Sequence, residues 1–313
     1  MRETGEGIRY CIFDPTGNIT ALVESEVDAE DQPAVAARIM ELEPAVEQVG
    51  FVAYAADAEQ ADHDSGMDNT EAGVPVSLRM AGGEFCGNAT MCAAALFAIR
   101  SGLQGGEVPV KVAGVSEPFT VSLELQAGQA FSAAVSMPPA LSIGALTVTE
   151  DTAAGGAAAG LPLVKMEGIS HIIVEPDSGF FGLKKDSELA ESLLRQWCSE
   201  TGADCLGMMF LGEAYDGDDE DSPRKRSIAG TVPAGTSGTF RTLTPLVFVP
   251  GADTMFWENS CASGSAAAGM YLAAKDGAPV DVTFDEPAGR LRVESDPFTG
   301  TTVLHGSAIL REG

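Results

Sequence analysis

Apolar positions along this chain alternate in short runs far more often than they recur at helical spacing. The opening reads as two strands about a turn, IRYCIF, then DPTG, then NITALVE, with Asp, Pro and Gly each suited to the turn. Similar runs occur at VGFVAY, PVSLRM, VPVKVA, PFTVSLEL and FSAAVSM. In the second half they recur at LPLVKMEG, SHIIVE, LGMMFL, LTPLVFV, VDVTF, GRLRVES and TTVLHGSAIL. Two segments switch to an amphipathic helical period. One runs roughly from Asp31 to Leu42, with Pro33 early and Val35, Ile39 and Leu42 near helical spacing. The other is KKDSELAESLLRQWCSETG, which sets Leu189, Leu193, Leu194 and Trp197 on one side.

Two further helices have a different character. MAGGEFCGNATMCAAALFAIRSG and TMFWENSCASGSAAAGMYLAAKDG each lead through a tight turn and a cysteine into a helix of small, mostly apolar residues. A helix apolar all round must be buried. Each half of the chain therefore predicts many strands wrapped about one central helix, an internal duplication in plan. The expected fold is α/β (α+β), two similar domains with an active-site cleft between them. The first spans 1–137 and carries Cys86, the second spans 138–300 and carries Cys261, and a final strand over 301–313 is free to return to the first domain. AEQADHDSGMDNTEAG reads as a polar loop holding His63, and EAYDGDDEDSPRKRSIAGTVPAGTSG as a charged, then glycine-rich excursion or lid. The acidic run from Asp216 to Asp221 has no physical account beyond solubility.

Composition narrows the partners. A formal net charge of −28 over 313 residues repels nucleic acid and anionic membranes, so neither is expected as a partner. No apolar run approaches the ~18 residues of a membrane span. The start, MRETGEGIRY, has no basic stretch followed by an apolar one, so a cytoplasmic location is expected. None of the six cysteines forms a CxxC pair, which disfavours a zinc site and leaves reduced thiols as the default. Cys11, Cys92, Cys198 and Cys205 fall within or beside apolar strands and helices and read as core residues.

Cys86 and Cys261 instead stand at the mouths of the two buried helices. A helix N-terminus offers unsatisfied N–H donors and roughly half a positive charge. It can hold a carboxylate without an arginine and it favours a thiolate. If both mouths face one cleft, an α-amino acid lies with its carboxylate on the helix ends and one cysteine on each face of its α-carbon. One thiolate then removes the α-proton and the opposite thiol returns a proton. Two buried cysteines in two core helices is the competing reading of the same pattern.

These residues resemble the diaminopimelate epimerase-like superfamily, cofactor-independent racemases and epimerases that use two cysteines. DPTGNITALV is similar to its N-terminal segment, EFCGNATMC to its first catalytic motif and FWENSCASGSA to its second, and GISHIIV to the segment holding a family histidine. EQVGF, EFCGNATM, LTPLVFVP and WENSC together are similar to the histidine racemases of staphylopine-type metallophore pathways. The resemblance implies Cys86 and Cys261 as catalytic. It places Asn18, Gly87, Asn88, His171, Glu258, Ala262, Ser263 and Gly264 at a small amino acid, histidine first, with no cofactor or metal. Glu258 reads as a contact for the α-ammonium or as a turn cap. His171 reads as a lining residue or a core histidine, and Asn18 as a substrate contact or as turn chemistry. Diaminopimelate epimerases carry an arginine after this glutamate, whereas Asn259 follows Glu258 here, which argues against diaminopimelate. The rivals are an isomerase of a small unsaturated or hydroxy acid, diaminopimelate epimerase itself, and a thiol redox or binding module. Oligomeric state is open, with a homodimer among the options.

Overall fold

The computed structural model describes residues 1–55, 74–149, 158–216 and 239–311. The loop expected at 58–73, with His63, lies outside them, as does the expected excursion beyond Asp216 up to residue 238.

The strands follow one plan twice. In the first half, Arg9–Asp14 pairs antiparallel with Thr20–Val23, which pairs parallel with Gln48–Tyr54. A parallel pair needs a crossover, and helix α1 (Gln32–Leu42) supplies it. Gln48–Tyr54 pairs antiparallel with Val76–Met80, which is parallel to Gly105–Val112 through helix α2 (Gly87–Ser101). Phe119–Ala127 and Ala130–Met137 continue antiparallel. In the second half, Ala158–Lys165, Ser170–Val174 and Leu206–Asp216 repeat the opening, with helix α3 (Ser187–Thr201) as the crossover. Thr239–Val249 then runs parallel to Val280–Asp285 through helix α4 (Ala262–Asp276), and Arg290–Ser295 follows antiparallel.

Thr302–Arg311 serves both halves. It pairs with Arg290–Ser295 at one end, with Arg9–Asp14 at the other, and with Ala130–Met137 along its opposite edge. The first half thereby closes into a barrel around α2. Ser142–Thr149, exposed from Ser142 to Ala145, adds a strand beside Ala158–Lys165.

Only a slender helix fits inside such a barrel, and the sequence GNATMCAAALFAIRS supplies one: it is buried from Gly87 through Leu96 and again at Ala98. ASGSAAAGMYLAAKD does the same for α4. Both helices sit in one continuous apolar core. A larger side chain within it, such as Met91 or Leu96, contributes roughly 1.5–3 kcal/mol by burial. Smaller cores lie under α1 and α3. On α3 the buried positions are Ala190, Leu194, Trp197 and Cys198. Leu189 is one residue out of phase with that stripe and stands exposed, as does Leu42 at the end of α1. No helix among the described residues is long and apolar enough to cross a membrane.

Candidate active site

Cys86 and Cys261 are the N-cap residues of α2 and α4, with nearly identical extended backbones (φ −133°, ψ 108° and φ −132°, ψ 102°). Each is held from behind. Phe85 precedes Cys86 and stacks on Phe119 with ring centroids 4.8 Å apart. Ser260 precedes Cys261, and its carbonyl accepts the side-chain amides of Asn18 at 2.7 Å and Asn88 at 3.2 Å. The two helix mouths meet: a Cβ added to Gly87 would lie 2.9 Å from that of Ala262. They open on one cavity of about 160 Å³, whose lining includes Cys86, Gly87, Asn88, Glu258, Cys261, Ala262 and Ser263.

A polar network joins the cysteines. The Cys86 thiol donates to Gln48 Oε1 at 2.7 Å, and Gln48 Nε2 donates to Glu258 Oε1 at 2.7 Å. Glu258 also lies close enough to Cys261 for its carboxylate to raise that thiol. Its second oxygen, Oε2, is buried without a partner. Across from it, Ser263 Oγ lies 3.6 Å from Cys261 Sγ and 3.1 Å from His171 Nε2. Glu286 caps the α4 mouth, accepting from the Cys261 N–H at 2.7 Å and the Ser265 hydroxyl at 2.6 Å.

The electrostatics differ from the expectation of favoured thiolates. The N–H groups of Ala89 and Asn88 pull the Cys86 thiol down as the helix end requires, but burial outweighs them and pushes it up. Burial and the neighbouring Glu258 carboxylate push Cys261 well up too. A helix end contributes about half a charge, which does not offset removal of a thiolate from water. Burial raises Glu258 to about 7, against the lowering contributed by Cys261 and by the hydrogen bond from Gln48. His171 is held neutral by burial, down to about 3.

Three of the residues expected at the substrate lie outside the cavity lining. Asn18 is fully buried and ties the first turn of the chain to Ser260. His171 stands behind Ser263. Gly264 packs where a Cβ would meet Met209 Sδ at 2.2 Å and Cys261 Sγ at 3.2 Å. Sequence reasoning missed Gln48, Glu84 and Glu286. Gln48 stands in the quoted phrase EQVGF at the start of its strand, where alternation gives no reason to single it out. Glu286 reaches its helix across 25 residues and leaves no local signal.

A family model described as the histidine racemase CntK N-terminal domain matches residues 7–216 and 237–303. A histidine racemase of Fusobacterium nucleatum is 27% identical over 269 residues, covering 83% of this chain and 79% of that protein. A histidine racemase of Staphylococcus aureus is 26% identical over 292 residues, covering 92% and 88%. Among solved structures, a hydroxyproline epimerase from Agrobacterium vitis with bound trans-4-OH-L-proline is similar in fold, with a TM-score of 0.57 at 11% identity over 97% of this chain and 89% of that one. Matched by the family model along most of its length, the chain belongs to the histidine racemase CntK N-terminal domain family, and by that membership it is an isomerase of the racemase and epimerase kind.

Proposed function

We propose that this chain racemises a free amino acid, histidine first, by 1,1-proton transfer between Cys86 and Cys261. The observation that carries the reading is the pair of cysteines at the same N-cap position of two helices whose mouths meet at one cavity. The substrate carboxylate takes the N–H groups of the two first turns. Its α-ammonium takes Glu258 Oε2, the buried carboxylate oxygen that lacks a partner. That ammonium brings positive charge to a site where burial opposes the thiolate, and so shifts one thiol toward ionisation. With one cysteine as thiolate and the other as thiol, the thiolate takes the α-proton. The electron pair left on the α-carbon is delocalised into the carboxylate, which the helix ends stabilise. The opposite thiol then delivers its proton to the other face and is left as the thiolate, ready for the mirror-image substrate. Histidine as substrate rests on the family and on the two relatives.

Incubation with L-histidine in heavy water tests this, following the α-proton by NMR and the D-enantiomer by chiral chromatography. Exchange with racemisation is expected, and Cys86→Ser or Cys261→Ser should slow racemisation by about 10²–10⁴-fold. If no amino acid exchanges its α-proton under reducing conditions, the reading fails.

A further inference from the structure

We infer that Glu84 reads the substrate's side chain, accepting a hydrogen bond from a donor on it and so selecting neutral or cationic donor-bearing side chains such as imidazole. This rests on the racemase reading above. Glu84 lies in the turn between Val76–Met80 and α2, two residues before Cys86. The backbone of Gly82 and of Glu84 itself favours its charged carboxylate, yet its Oε2 is buried with no hydrogen-bond partner. Gly82 makes the room: a Cβ there would stand 2.6 Å from Glu84 Oε2 and 2.7 Å from Val249 Cγ1. Glu84 lines the same cavity as the two cysteines, together with the apolar Val249 and Ala252. It is close enough to act electrostatically on both Cys86 and Glu258.

The other carboxylates at the cavity have work already. Both oxygens of Glu47 are taken by Asn259, one by its backbone N–H and one by its side-chain amide. Glu258 is the oxygen source for the α-ammonium. Among the described residues, no Lys, Arg or His lines the cavity. An anionic side chain therefore meets only carboxylates there, which rejects a second carboxylate end. An apolar side chain of the same size leaves Glu84 Oε2 buried and unpaired. A side chain with an N–H satisfies it, and a site built to pair a buried polar group discriminates strongly against an analogue that lacks the matching one.

The test compares kcat/KM for L-histidine with that for L-thienylalanine, whose ring has similar size and no N–H, in wild type, Glu84→Gln and Glu84→Leu. Wild type should prefer histidine by about 10²-fold or more. Glu84→Leu should cut that preference at least about 10-fold, chiefly through KM for histidine, and Glu84→Gln, which retains an acceptor oxygen, should lie between. The wild-type comparison stands even where a variant fails to fold. Equal use of the two substrates by wild type overturns the inference, as does a preference unchanged in folded variants. A wild type that racemises no amino acid overturns the racemase reading itself, an outcome distinct from a racemase indifferent to Glu84.

Discussion

At the scale of single residues, Glu258 carries the most chemistry per atom. One of its oxygens accepts from Gln48, its charge acts on Cys261, and Oε2 is buried without a partner. Its carboxyl is raised to about 7, so below that pH it is protonated and holds an ammonium poorly. kcat/KM is therefore expected to rise with pH through about 7. In Glu258→Gln that rising limb should vanish and kcat/KM should fall about 10–100-fold at high pH, since a charge-assisted contact becomes a neutral one. A pH profile of the variant with the same limb would assign the ionisation to another group. The cysteines were legible in the sequence because each is written beside its helix, EFCGNA and NSCASG, within a few residues. Gln48 and Glu84 were not, because what distinguishes them is a partner in the other half of the chain or a place at the cavity. Asn18 reads in the sequence as a substrate contact or as turn chemistry. Its amide is spent on Ser260, a partner 242 residues away that no local pattern announces.

At the scale of elements, the two buried helices were legible from composition alone, since small residues on every face have no place on a surface. Their mutual contact was not. Gly87 and Ala262 occupy the same first-turn position of α2 and α4, and their spacing of 2.9 Å between a built Cβ and a real one admits a side chain on only one of them. Gly87→Ala should force the mouths apart and cost about 1–3 kcal/mol of stability, the usual range for overpacking. Activity should fall with it, because a shift of a few tenths of an ångström separates the cysteines from the geometry both need. Adding Ala262→Gly to Gly87→Ala transfers the side chain to the partner helix and should recover most of the lost melting temperature. A double variant no more stable than the single one would show that the clash lies elsewhere. The missed strand Ser142–Thr149 shows the opposite limit: its residues from Ser142 to Ala145 are exposed, so no buried face imposes a readable alternation.

At the scale of the whole molecule, a chain of net charge −28 keeps carboxylates in its interior, Glu258, Asp285 and Glu286 among them. Glu286 is the sharpest case. It caps α4 with two short hydrogen bonds, yet burial raises it to about 8, ahead of the lowering contributed by Ser265 and the Cys261 N–H. In the unfolded chain the same group titrates near the ordinary carboxylate value of about 4.3. Between those values the folded state binds more protons than the unfolded one, so stability is greatest at the acidic end and falls as pH rises through about 8. Surface carboxylates are ionised in both states above about pH 5.5 and contribute little slope over that range. From about pH 5.5 to 8, the melting temperature should therefore drop by several degrees, equivalent to roughly 2–4 kcal/mol. Glu286→Gln keeps an acceptor for the Cys261 N–H and has no proton to lose, so its melting temperature should be flatter across the same range. Salt separates the two sources of charge effect, because it screens the exposed acidic surface and leaves a buried carboxylate almost untouched. A slope that survives in Glu286→Gln but disappears in about 0.5 M salt would place the pH dependence on the surface and return Glu286 to the ordinary role of an ionised helix cap.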